Sequence, residues 1–255
     1  MEQEGKYIYC IIGTTQDRNF GPIGIGGRGD EVITIGSDDL AMVISSHPVA
    51  RLVVNAENIL AHEKVIEEVM KEFTVLPVRF CTIAVSADEI RSLLFKRYRE
   101  FKNLLRDMDH KIELGVKGVW KDMRIVFEEI TGKNKEIGRL KKKIKGDAGE
   151  EDVQAKVKLG KFVEAALKRK KEEESQKIID VLRDSAFDYK INNTKGDEMF
   201  INASFLVGKG REKEFDNLME EIGETYMNKA KFIYTGPFPP FNFVNLTIYQ
   251  EEWEK

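Results

Sequence analysis

Hydrophobic and polar positions along the chain change period several times, and each change predicts an element. Lys6–Ile12, "KYIYCII", is β-branched and aromatic and predicts a strand. "EVITIG", the turn Ser37-Asp38-Asp39 and "LAMVISS" predict a hairpin that Pro48 ends. From Ala56 to Phe73 the period becomes helical, with Ile59, His62, Ile66, Val69, Met70 and Phe73 on one face. "LPVRFCTIAV" then predicts a strand, with Cys81 a small core residue in its middle. Ser86 and Glu89 form a capping box that opens a helix to about Arg106. These elements form a first α+β domain over residues 1–108.

A second domain, 109–236, starts with the strand "KIELGVKGVW". Helical stretches at 121–143 and 150–185 follow, separated around Gly146, and then the strands "SAFDYKINN" and "MFINASFLVG". A helix from Lys209 to Asn228 and the strand "KFIYTG" complete the order β-α-β-β-α-β. That order predicts a modified ferredoxin-like domain whose first crossover is enlarged by a helical insertion at 121–185. Within the insertion "KRKKEEESQK" has no apolar stripe and predicts a solvated arm with i,i+4 ion pairs. The tail, 237–255, holds Pro237, Pro239 and Pro240 among Phe238, Phe241 and Phe243. Such a polyproline-like segment has no core of its own and is expected to pack back across the two domains.

Composition narrows the classes. The chain has 255 residues, 41 basic and 44 acidic, for a net charge of −3. Nothing in that balance offers a basic field for nucleic acid or a polybasic anchor for a lipid membrane. No apolar run reaches the roughly 18 residues of a membrane span, and "MEQEGK" carries no signal-peptide pattern, so a cytoplasmic location is expected. Cys10 and Cys81 read as reduced thiols rather than a disulfide.

The strongest catalytic lead is "GPIGIGGRGD", in which Gly24, Gly26 and Gly29 have the spacing G-x-G-x-x-G. A dinucleotide turn leads from a strand directly into a helix, whose N-terminus holds the pyrophosphate. Here "TTQDRNFG" intervenes and the strand "EVITIG" follows, so a connection between strands is expected. The histidines His47, His62 and His110 show no metal-ligand spacing with a cysteine. His62 reads as a hydrogen-bonded core histidine, and no catalytic residue, cofactor or metal is assigned. An RNA-binding reading of the βαββαβ order would need aromatics on the central strands. Phe200 and Phe205 have opposite parity, which predicts opposite faces. Arg79, between Val78 and Phe80, suggests an internal tie to Glu63 or an interface anchor.

"KYIYCII", "GIGG" before "VITIG", "LAMVISSHP", "ILAHEKVIEEVM", "LPVRFCTI", "IELGVKGVW" and "TGPFPPFNFV" occur in one order from about residue 5 to 245. That ordered set resembles the gas vesicle protein F/L family (GvpF/GvpL). Cys81 stands where that family usually has glycine, which implies a stiffer end to its strand. Phe238 and Phe241 stand where Trp and Tyr are common. The resemblance implies two α+β domains, the second a modified ferredoxin fold, with the tail between them. It implies a non-enzymatic accessory protein, associated with gas vesicles, that binds the small hydrophobic shell protein and other gas vesicle accessory proteins during assembly. The face holding Leu76, Pro77, Arg79 and Phe80, or the edge beside the first hairpin, is the expected contact.

Overall fold

β1 (Glu4–Ile12) is the spine of the first sheet, and from Tyr7 to Ile12 every residue is fully buried. A strand buried on both faces needs a layer on each side. The computed structural model, which describes residues 4–49, 53–133, 135–143 and 150–248, supplies both. β2 (Ile33–Ser37), β3 (Leu40–Pro48) and β4 (Val75–Pro77) complete the order β2-β3-β1-β4, and the two-residue β5 (Ile83–Ala84) also pairs with β1. A register shift between Ile8 and Cys10 in the β1–β3 pairing marks a bulge. On one face Tyr7, Tyr9, Cys10 and Ile12 pack with Val65, Ile66 and Val69 of α1 (Ala56–Met70). On the other, Ile8 and Ile11 pack with Ile90, Leu93 and Leu94 of α2 (Ala87–Lys96) and with Phe101 and Leu105 of α3 (Tyr98–Met108).

Local chemistry explains most of these boundaries. Asn55 caps α1, its side chain accepting from the Asn58 N–H at 2.8 Å. Ser86 Oγ accepts from the Glu89 N–H at 3.2 Å, and the Glu89 carboxylate reaches back to the Val85 N–H at 2.7 Å. The expected single helix to Arg106 is two, because Arg97 leaves helical geometry at φ −104°, ψ 18°. α1 ends at Met70, and Ile59 is exposed while Val65 takes its place on the buried face.

The largest correction concerns "LPVRFCTIAV". It is not one strand: β4 stops at Pro77, a turn covers Val78–Thr82, and β5 starts at Ile83. Cys81 sits in that turn at φ +68° and is exposed, so it is neither mid-strand nor in the core. Alternating apolar letters cannot reveal one residue held in the left-handed region.

The chain divides into two compact units, Met1–Glu113 with Pro237–Lys255, and Leu114–Gly236. The second sheet contains β6 (Lys111–Trp120), β7 (Asp188–Ile191), β8 (Met199–Gly208) and β9 (Ala230–Phe238), in the order β7-β8-β6-β9. Its helices are α4 (Met123–Lys133), α5 (Lys135–Lys143), α6 (Glu150–Leu182) and α7 (Glu212–Thr225), the first three lying between β6 and β7. The chain is therefore α+β, with the β-α-β-β-α-β order of its second half as predicted. The Gly146 break and the last residues of the tail, 249–255, lie outside the described residues.

Two expectations for this unit change. Phe205 packs on Phe215 of α7, and Phe200 packs on Tyr226 at the same helix's C-cap, so both rings meet α7 despite their opposite parity. The charged arm is only partly solvated. Arg169 and Glu173 form an i,i+4 pair at 3.6 Å, but Lys170 bonds Glu129 of α4 at 2.5 Å and Glu174 accepts from the Tyr226 hydroxyl at 2.7 Å. Ala166, Leu167, Ile178 and Ile179 on either side are buried. Among the described residues no helix is long and apolar enough to cross a membrane.

Candidate functional site

A cleft of about 370 Å³ opens in the first unit, lined by α1, the Val78–Thr82 turn and the tail. Two fully buried tyrosines that alternate with Ile8 on β1 support two of its lining elements, His62 and the turn. Tyr7 Oη lies 2.9 Å from Nδ1 of His62, whose Nε2 is 3.2 Å from the Val78 carbonyl. A carbonyl only accepts, so the imidazole proton is on Nε2, and Tyr7 donates to Nδ1. Tyr7 Oη in turn accepts from the Cys81 N–H at 3.3 Å. The His62 ring is stacked on Tyr9 at 5.6 Å and meets Phe80 edge-on at 5.7 Å. Burial pulls the His62 pKa down from 6.5 to about 4, so the ring is neutral at physiological pH. Burial also pushes the Tyr7 hydroxyl above its ordinary value.

The turn held by these bonds presents side chains outward. Arg79 is exposed and Phe80 half-buried, and Thr82 Oγ1 fastens the turn by donating to the Arg79 carbonyl at 2.6 Å. Among the described residues no ion pair joins Arg79 to Glu63, so the expected internal tie is absent: on a turn rather than an interior strand, the guanidinium is solvated and needs none. Glu63 lines the same cleft, and burial with the neighbouring charge of Glu67 raises its pKa. Pro77 and Phe80 also line it, whereas Leu76 points into the core beneath α2 and α3.

The tail supplies the facing wall. It is a turn rather than a polyproline helix: the Phe241 N–H bonds the Pro239 carbonyl at 2.7 Å, and the Phe243 and Val244 N–H groups bond the Pro240 carbonyl at 3.0 Å. Pro237 is exposed and Phe238 half-buried at the end of β9, while Pro239 and Pro240 are buried. Phe241 lines the cleft, and half-buried Phe243 follows it. The buried carboxylate of Glu113 accepts from the Asn242 N–H at 2.8 Å and from its side-chain amide. Val244 and Leu246 enter the core with α2 and α3.

The glycine stretch lies elsewhere on the unit and is closed. The Gly24 N–H bonds the Asp30 carbonyl at 3.0 Å, and the Ile25 N–H bonds Tyr9 Oη at 2.8 Å with its side chain fully buried. Gly21, Gly26, Gly27 and Gly29 have positive φ, which is what those positions need from glycine. The loop runs from β1 to β2 rather than into a helix, so it cannot act as a dinucleotide turn. Nor does the cleft hold a nucleophile–base pair. Both His62 nitrogens are engaged, and burial pushes the Cys81 thiol pKa upward. No cluster of metal-ligating side chains occurs among the described residues.

The family model described as "Gas vesicle synthesis protein GvpL/GvpF" matches residues 5–245. The chain belongs to the GvpL/GvpF family. It is 26% identical to Gas vesicle protein F1 of Halobacterium salinarum, covering 98% of this chain and 97% of that protein. It is 27% identical to Gas vesicle protein F of a Streptomyces species, covering 93% and 98%. Crystal structures of GvpF from Anabaena and from Microcystis aeruginosa share the fold. The Anabaena structure aligns with a TM-score of 0.80 at 22% identity over 96% of this chain and all of that one. The Microcystis structure gives 0.79 at 22% over 95% and 99%. Membership in the GvpL/GvpF family carries a role in gas vesicle formation.

Sequence reasoning missed Tyr7, Tyr9, Glu113, Asn242 and the segment Val244–Thr247. The two tyrosines could have been found from their shared parity on β1, and the tail from the alternation of Val244, Leu246 and Ile248.

Proposed function

We propose that this chain is a non-enzymatic accessory protein that binds the hydrophobic gas vesicle shell protein, and acts with other accessory proteins during nucleation or assembly. The observation that carries this reading is the cleft. It gathers Arg79, Phe80 and Phe241, residue types enriched at binding surfaces, around His62, which bonds to Tyr7 and the Val78 carbonyl hold in place. Exposed apolar side chains also occur just before and within the first turns of α1, with Val54 72% and Leu60 62% exposed. A shell subunit rich in apolar strands is aggregation-prone before assembly, and a surface of this kind can hold it and release it into a lattice. The disarmed His62 and Cys81 support a binding role over a catalytic one.

The test is co-expression with a gas vesicle shell protein, followed by affinity capture. Wild type is expected to retain the shell protein, and the Arg79→Ala and Phe80→Ala variants to retain about tenfold less or lower. Folded variants that retain it at wild-type levels contradict the reading.

A further inference from the structure

Val244–Ile248 has the burial pattern of a strand and pairs with none among the described residues. Val244 and Leu246 are buried and Ile248 packs on the same cluster, while Asn245 is exposed and Thr247 half-buried. That is the period-2 alternation of an extended chain. Yet among the described residues the main-chain groups of Asn245–Ile248 take one hydrogen bond, from Arg97 Nη1 to the Thr247 carbonyl at 3.0 Å. In an extended chain, alternate residues direct their N–H and C=O to opposite sides. The groups of Leu246 and the N–H of Ile248 therefore point away from Arg97.

The other extended wall of the cleft is a poor template. The β1–β4 register pairs Cys10 with Pro77, and the Val78 N–H donates to the Tyr9 carbonyl at 2.9 Å. That register turns the main chain of Leu76 and Val78 toward β1 and leaves Pro77 facing outward. Proline has no N–H to give there, a common protection of an edge. Of the two walls, only the tail offers donors and acceptors in alternation.

We infer that Val244–Ile248 is a template for strand addition, and that the cleft takes an extended β-strand of the shell subunit. This rests on the proposed function and names how the partner is held. On the side away from Arg97, the Val244 carbonyl, both main-chain groups of Leu246 and the Ile248 N–H form an unpaired row about 13 Å long, which selects another main chain and which a helix with satisfied groups cannot match. The incoming strand places an apolar side chain against Phe80 and Phe241. Beside it, a basic side chain faces Glu63 and an acidic one faces Arg79.

The experiment uses the full chain with captured shell protein, in two arms. Hydrogen exchange of the complex is expected to slow in 244–248 relative to the free chain. Ile248→Pro removes the N–H of Ile248 and is expected to lower capture about tenfold, the worth of one main-chain hydrogen bond. Ile248→Val keeps that N–H and is expected to capture within about twofold of wild type. Intact capture without slowed exchange in 244–248 overturns strand addition and leaves the proposed function standing. So does equal capture by the two variants. Failure of wild type to capture shell protein overturns both.

Discussion

The glycine loop Gly21–Asp30 and the turn Val78–Thr82 sit in the same unit, and their letters suggest the wrong roles. The first has the spacing of a nucleotide motif, yet its N–H groups at Gly24 and Ile25 are already used by Asp30 and Tyr9. The second reads as plain strand, yet it turns Arg79 and Phe80 out toward a cleft. Both are fastened to β1 tyrosines: Tyr9 holds the loop and Tyr7, through His62, holds the turn. What separates them is the direction of the side chains. The loop buries Ile25 and spends its main chain internally; the turn spends its main chain internally and displays its side chains.

The comparison breaks most severely through His62. Its folded pKa of about 4 lies below the ordinary 6.5, so the unfolded chain takes up that proton first as pH falls. The stability conferred is complete above about pH 6.5, declines below it and is lost by about pH 4, a total of about 3 kcal/mol. Urea unfolding at pH 7 and pH 4.5 should show wild type losing about 2–3 kcal/mol more than His62→Gln, which has no such group to titrate.

Gly24→Ala should come next. A Cβ at this position would lie 2.7 Å from the Asp30 carbonyl oxygen and 3.1 Å from Ser45 Cβ, so the loop must shift. Thermal unfolding should report a loss of about 1–3 kcal/mol with shell-protein capture unchanged once folded.

Cys81→Gly acts in the opposite direction. A left-handed residue costs about 1–2 kcal/mol when it carries a Cβ, and glycine's freedom in the unfolded chain offsets part of the gain. A net stabilisation of about 0.5–1 kcal/mol is expected in the same measurement.

The smallest effect on stability belongs to Arg79→Ala. An exposed side chain with no ion pair to Glu63 should change stability by less than about 0.5 kcal/mol. A larger loss would mean that the turn depends on the guanidinium, and the contrast between display and closure would fail there.

How much of this was legible in the sequence follows the same division. Period and capping chemistry located β1, the first hairpin, α1, the Ser86 cap and the β-α-β-β-α-β order, because those signals are local. The interruption of "LPVRFCTIAV" was not legible, since it depends on the φ of Cys81 and on bonds from Tyr7 and His62, more than fifteen residues away in the chain. Arg79 was singled out, as an internal tie to Glu63 or as an interface anchor, but on a strand rather than on a turn. The tail's importance was visible in its phenylalanines and prolines. Its second role, an extended segment with unpaired main-chain groups, was not visible, because pairing is a property of neighbours rather than of letters. The Glu113–Asn242 clasp joins residues 129 positions apart and left no local trace.

The central claim, that the turn is the contact surface and the glycine loop is not, is tested most directly by site-specific photo-crosslinking in cells producing the shell protein. A benzoylphenylalanine is placed in one sample in place of Phe80 and in another in place of Arg28, which pairs with Glu4 and Asp30 on the glycine loop. Crosslinks to shell protein from position 80 and none from position 28 are the predicted result. Crosslinks from position 28 alone, or equally from both, would contradict the account.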